Sequence, residues 1–398
     1  MDLKIFPSKL QGSISAIPSK SQAHRLLICA AFSSSPTELV CPDTNEDIDA
    51  TVFCLNAIGA HIVRSESGFW VEPINVVPKK ASLDCKESGS TLRFMLPIIC
   101  ALGIEATISM SGRLPYRPLS PLWEELERMG CKLERPSENT IRTTGKLRSG
   151  EYIIAGNISS QFVTGLLFAL TLLDGTSHIT ITGNLESKPY VDMTQKALKI
   201  FGVDTTNFVI PSSYPFSSPG KVIVEGDWSN AAFFLVAAAL GNDITVSNLQ
   251  EDSSQGDHLI AEILTYTDSI PKISAKNNPD LIAILAVYFA TKGGAIFQDI
   301  QRLRLKESDR VASVISLLMA LGIPAKSDES TLCISGGSFT GGIIDSYGDH
   351  RIAMAAAVAA TRASAPVTIL GAECVSKSYP AFWQEYQRLG GNYEQYIR

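Results

Sequence analysis

The stretch YGDHRIAMAAAVAATR, residues 347–362, decides how the rest of the chain is read. From Ile352 to Ala360 it is alanine with a few larger apolar residues, the composition of a helix buried on all sides. Yet it opens on Asp349, His350 and Arg351, residue types that prefer water. A helix N-terminus leaves backbone N–H groups unpaired and carries a partial positive charge, so it attracts anions. An arginine there opposes the macrodipole and needs something negative nearby. The stretch predicts a core helix whose start faces an anion.

Five other stretches share this form: PSKSQAHRLLICAAF (18–32), ESGSTLRFMLPIICAL (87–102), SSQFVTGLLFALTLL (159–173), GDWSNAAFFLVAAAL (226–240) and PDLIAILAVYFA (279–290). Their starts lie about 70 residues apart, except for a step of about 50 from 226 to 279. Such spacing marks a repeated supersecondary unit. Between them lie segments with apolar residues at three- and four-residue intervals, the mark of amphipathic surface helices. These are 47–62, 119–133, 191–205, 256–267, 308–325 and 379–391. Gly59, Gly130, Gly202, Gly322 and Gly390 stand at their expected stops. Short alternating segments such as SHITITG (177–183), EYIIAG (151–156), KVIVEG (221–226) and DITVSNL (243–249) predict strands. The chain therefore reads as an α/β protein of six copies of strand, helix, strand, helix and two strands, three copies per domain. Ser-Ser-Gln at 159–161 is also what an ordinary helix cap looks like. Arg25, Arg93, Arg310 and Arg351 near four helix starts favour a ligand.

A length of 398 residues exceeds what one core usually organises, so two domains are expected. Charged residues make up 19% and hydrophobic residues 45%, a core-forming composition. The net charge of −6 argues against a general nucleic-acid binder, though not against a local basic cleft. The eight cysteines form no C-x-x-C pair, and the five histidines show no metal-ligand spacing. The start MDLKIFPSKLQG has no signal-peptide core, and no apolar run reaches the roughly 20 residues a membrane span needs. The expected setting is a reducing cytoplasm.

The motifs PSKSQAHR (18–25), SGSTLR (88–93), YRPLSPL (116–122), SSQF (159–162), SKPYVD (187–192), LRLKESDR (303–310) and YGDHRIAM (347–354), in this order, are specific together. On them the chain resembles the 5-enolpyruvylshikimate-3-phosphate synthase family of enolpyruvyl transferases, over nearly its whole length. The resemblance implies a two-domain inverse α/β barrel-like fold that closes on its substrates. The first domain would be 1–18 with 226–398, one repeat being shortened near 268–280, and the second 19–225. It implies transfer of the enolpyruvyl group of phosphoenolpyruvate to shikimate 3-phosphate, in chorismate and aromatic amino-acid biosynthesis. No cofactor, metal, nucleic acid or membrane is implied, and a monomer is expected.

Carried over position by position, shikimate 3-phosphate would be bound by Ser21, Arg25, Ser159, Ser160, Gln161, Ser187, Tyr190, Asp280 and Lys306. Phosphoenolpyruvate would be bound by Lys20, Gly89, Arg117, Gln161, Arg310, His350, Arg351 and Lys377. Asp280 would accept a proton and Glu307 donate one, with Lys20 also catalytic. Read without the family, Asp280 in NPDL is an ordinary helix cap and Glu307 a surface ion pair, although Lys306 and Arg310 would share one helix face.

The chain departs from the family at several points. The shortening falls on the fifth repeat in this reading and would loosen Asp280. Arg302 and Glu87 stand where Asn is usual, and Phe94 would tilt the pocket wall that the inhibitor glyphosate touches. Three rival readings remain. The sister enzyme acting on UDP-N-acetylglucosamine carries a Cys before the matching Arg-Pro, where this chain has GRLPYRP (112–118). RNA 3'-phosphate cyclase uses related repeats but also a histidine motif this chain lacks. The third is an inactive anion-binding module.

Overall fold

Apolar runs without a polar face are stable as helices only when protein surrounds them. The structure, a computed structural model describing residues 1–211, 216–266 and 270–396, places six such runs in helices. In chain order the helices are α1 (Lys20–Ala31), α2 (Glu46–Ala57), α3 (Gly89–Leu102), α4 (Leu122–Arg128), α5 (Ser160–Leu170), α6 (Lys188–Ile200), α7 (Trp228–Ala239), α8 (Ile260–Ile263), α9 (Ile282–Ala290), α10 (Arg310–Ala320), α11 (His350–Ala360) and α12 (Phe382–Arg388). The odd-numbered helices are the buried set, and α9 and α11 are buried at every residue. The even-numbered helices are the amphipathic set. Gly59, Gly130, Gly202, Gly322 and Gly390 follow five of them with φ between 82° and 116°, the left-handed conformation glycine adopts without strain.

The chain forms two compact units, Met1–Ile17 with Gly226–Arg398, and Pro18–Glu225. Each has its own apolar core. Within the Pro18–Glu225 unit one sheet runs Lys80–Asp84, Glu105–Ser109, Thr140–Gly145, Cys131–Ser137. Its first two strands are parallel and the other pairings antiparallel. The same pattern recurs in the sheet Lys221–Ile223, Thr37–Val40, Gly68–Glu72, His61–Arg64. The third sheet, Glu151–Ala155, Ser177–Thr182, Val209–Ile210, repeats its first three strands among the described residues.

The other unit repeats the pattern with Lys272–Ser274, Gly294–Gln298, Thr331–Ser335 and Ala325–Ser327. It does so again with Gly342–Asp345, Val367–Leu370, Leu3–Phe6 and Asn392–Gln395, one strand coming from the chain's start. Its third sheet holds only the parallel pair Gln11–Ser15 and Asp243–Ser247 among the described residues. The shortening near 268–280 therefore falls on the repeat built around α7 and α8, not on the fifth repeat, whose sheet around α9 has four strands. Residues 268 and 269 of that segment lie outside the described residues.

Among the described residues no helix is long and apolar enough to cross a membrane. No group of three or more His, Cys, Asp or Glu there could hold a metal ion. All eight cysteines are free thiols, and all but Cys333 are buried.

Candidate active site

In the Pro18–Glu225 unit the candidate residues stand at the starts of α1, α3, α5 and α6, except Arg117, which follows the 3-10 turn Leu114–Tyr116. Arg25, one turn into α1, is 2% exposed. Its guanidinium donates to the Thr194 hydroxyl at 2.8 Å, to the Tyr190 carbonyl at 2.9 Å, to the Thr164 hydroxyl and to the Ser21 carbonyl. It also lies over the Phe94 ring, 5.2 Å from the centroid. All these partners are neutral, and among the described residues no carboxylate pairs with it. Burial lowers its pKa to about 10, because the charged form is poorly solvated.

Gly89 is the first residue of α3, whose cap Ser88 accepts the Thr91 N–H. A Cβ on Gly89 would sit 2.6 Å from Arg93 Nη1 and 2.9 Å from Arg117 Nη1. The glycine thus lets two guanidiniums lie against the helix start. Gln161 accepts from Arg93 at 3.1 Å and donates to Ser90 at 3.0 Å, tying α5 to α3. Ser159 caps α5 by accepting the Gln161 N–H, and Ser160 is buried beside it. Ser187 precedes α6 with φ 54°. Lys20 pairs with Asp47 at 2.9 Å.

The other unit builds a cluster of mixed charge. Arg310 opens α10, is fully buried and meets three carboxylates: Asp280 at 2.7 Å, Glu307 at 2.7 Å and Asp349 at 3.0 Å. Burial disfavours its charge, but Asp349, Glu307 and Asp280 outweigh burial and hold its proton more tightly than usual. Asp280 also pairs with Arg351 at 3.2 Å and Lys306 at 3.5 Å. Burial works to raise its pKa, yet Arg351, Lys306 and Arg310 hold it well below the usual carboxylate range. Lys306 is lowered to about 8, chiefly by burial and partly restored by Asp280. Asp349 caps α11 by accepting the Arg351 N–H, and it accepts the Ser308 hydroxyl as well. His350, the first residue of α11, is buried. Lys377 donates to the Gly348 carbonyl at 3.0 Å.

Several expectations change. Asp280 is not a helix cap: Leu281 occupies that position at α9, and the Asp280 carboxylate goes to the cations. Lys306 does not share a helix face with Arg310, because α10 begins only at Arg310 and Lys306 is extended. Phe94 is buried between Arg25, His24 and Phe168, so it supports the guanidinium from within the core. Glu87 accepts the Arg113 N–H at 3.1 Å, bracing the turn before Arg117. Arg302 lies in the 3-10 turn Gln301–Leu305 and adds positive potential at Lys306. Asp349 as the counter-ion of Arg310, Thr194 as the partner of Arg25 and Asp47 as the partner of Lys20 were absent from the sequence reading. Asp349 alone left a signal, as a cap residue in YGDHRIAM.

Repeats of this topology, with cationic helix starts in both units, define the enolpyruvyl transferase fold. Solved EPSP synthase from Acinetobacter baumannii superposes with a TM-score of 0.79 at 23% identity, covering 99% of this chain and 100% of that one. The family model for EPSP synthase (3-phosphoshikimate 1-carboxyvinyltransferase) matches residues 6–386, and the chain belongs to that family. A relative from Clostridium kluyveri named 3-phosphoshikimate 1-carboxyvinyltransferase is 39% identical, the match covering 99% of this chain and 98% of that protein. One of the same name from Clostridium beijerinckii is 38% identical, covering 99% of both.

Proposed function

We propose that this chain transfers the enolpyruvyl group of phosphoenolpyruvate to the 5-hydroxyl of shikimate 3-phosphate, releasing 5-enolpyruvylshikimate 3-phosphate and inorganic phosphate. The substrate oxygen forms a bond to C2 of phosphoenolpyruvate as the methylene carbon gains a proton. The tetrahedral intermediate then loses a methyl proton as its C–O bond to phosphate breaks. Asp280 accepts the hydroxyl proton and Glu307 supplies the proton to carbon, both beside Arg310. Arg351, Arg310, Lys377 and His350, with Lys20, Gly89, Arg117 and Gln161, receive phosphoenolpyruvate. Ser21, Arg25, Ser159, Ser160, Gln161, Ser187, Tyr190 and Lys306 receive shikimate 3-phosphate. Guanidiniums suit both anions because their planar fork donates parallel hydrogen bonds. Asp280 is ionised but weakly basic while cations surround it. Anionic substrates that draw off those cations would raise its proton affinity at the moment it is needed. The reading places the enzyme in the cytoplasm as a monomer acting on small molecules.

The observation that carries this reading is Arg25, a buried cation whose partners among the described residues are all neutral. A buried charge without a counter-charge is costly, and a substrate phosphate supplies one. Calorimetric titration of wild type and Arg25→Gln with shikimate 3-phosphate and with shikimate tests it. Losing a charge-assisted partner costs about 1.5–3 kcal/mol, roughly 10- to 150-fold in affinity. That loss is expected for shikimate 3-phosphate and not for shikimate. Equal weakening of both ligands in a folded variant would refute the assignment.

A further inference from the structure

Asp257 lies in the 3-10 turn Gly256–Leu259 ahead of α8 and is 1% exposed. One carboxylate oxygen accepts the Ser229 hydroxyl of α7, and the other accepts Nδ2 of Asn278 at 3.1 Å. Asn278 is itself buried and stands two residues before Asp280. The turn is anchored by Gln255, which donates to the Gly226 carbonyl at 2.8 Å and accepts the Trp228 N–H at 3.1 Å. Burial and the nearby Asp280 charge push the Asp257 carboxyl up to about 6, with Arg351 pulling the other way. A second carboxylate buried near Asp280 is costly to desolvate unless its hydrogen bonds offset the cost. Asp280 is otherwise held by Arg310, Arg351 and Lys306, and anionic substrates compete for those cations. The hydrogen bond from Asn278 to Asp257 holds the backbone before Asp280 through a contact other than those three cations.

We infer that Asp257 is a positioning residue: through Asn278 it fixes the 278–280 segment so that Asp280 keeps its place when substrates engage the surrounding cations. The inference rests on the role proposed above for Asp280. It gives the shortened repeat a task, since the turn that follows α7 and its strand carries the tether. Asn278→Ala and Asp257→Ala both cut the link. Asp257→Asn keeps an oxygen that can accept from Asn278.

Steady-state kinetics with both substrates, alongside thermal melts and Asp280→Asn, test it. The two alanine variants should lose roughly ten- to a hundredfold in kcat, the scale of a misplaced reacting group. KM for both substrates should stay within about threefold, and Asp257→Asn should recover kcat to within about threefold of wild type. Wild-type kcat in folded Asn278→Ala overturns the inference, as does equal loss in Asp257→Asn and Asp257→Ala. If Asp257→Ala does not fold, Asn278→Ala and Asp257→Asn decide between these outcomes. Slow turnover in Asp280→Asn with normal turnover in Asn278→Ala would refute the tether alone. Normal turnover in Asp280→Asn would refute the role of Asp280 and the tether with it.

Discussion

Arg25 and Arg310 are both fully buried guanidiniums near helix starts, and their surroundings differ. Arg310 has three carboxylates around it, whereas Arg25 has hydroxyls, carbonyls and an aromatic face. The first ties Asp280, Glu307 and Asp349 together; the second, in the proposed function, meets the substrate phosphate. Lys306 stands between these cases, lowered to about 8 chiefly by burial. Its folded pKa is below its ordinary value, so the free protein loses this proton as pH rises through about 8. A bound phosphate favours the charged form and raises the pKa, so ligand binding must take a proton up. At pH 9 shikimate 3-phosphate should bind with uptake of about one proton, fading to none below about pH 7. Calorimetry in buffers of different ionisation heat measures this, and Lys306→Met should abolish it. No uptake at pH 9 in wild type would mean that Lys306 does not meet the ligand. The arginines were legible in the sequence because a cation at a helix start is locally unfavourable. Asp257, Asp47 and Thr194 were not, because their partners come from distant parts of the chain and each reads locally as an ordinary helix or turn residue.

Helices α3 and α5 pack backbone to side chain where their starts carry Gly89, Arg93 and Gln161. Gly165 makes this approach possible: a Cβ there would lie 2.1 Å from the Arg93 carbonyl oxygen. That atom is backbone and cannot swing aside, so Gly165→Ala must push the helices apart. Overpacking of this kind costs about 1–3 kcal/mol, and the Arg93–Gln161 hydrogen bond should loosen with it. Denaturant unfolding should show that loss together with a higher KM for phosphoenolpyruvate. Unchanged stability and kinetics would show that the contact is not tight. The helices themselves were readable, since an unbroken apolar run and a three-to-four spacing are different signals. Which strands complete each sheet was not. Leu3–Phe6 closes a sheet whose other strands begin near residue 342, and Gln11–Ser15 pairs with Asp243–Ser247. The resemblance to the family put the shortening on the repeat of α9, whereas among the described residues it is the sheet beside α7 and α8 that holds only two strands.

Across the whole molecule, 34 Lys and Arg face 40 Asp and Glu, an acidic balance for a protein that handles two polyanions. The contradiction dissolves in the distribution of charge. Many acidic groups sit in exposed pairs such as Lys80 with Glu105 and Arg388 with Glu385, which contribute little. Arg25, Arg310 and Arg351 are buried at helix starts, where low polarity strengthens their pull on an anion. Each unit holds part of the proposed machinery, with Arg25, Gly89 and Gln161 in one and Asp280, Glu307 and Arg351 in the other. Enolpyruvyl transfer by this chain is tested most directly by phosphate release from the purified protein supplied with one or both substrates. One phosphate should be released per shikimate 3-phosphate consumed, with no release from either substrate alone. Release from phosphoenolpyruvate alone at the same rate, or none with both present, would contradict it.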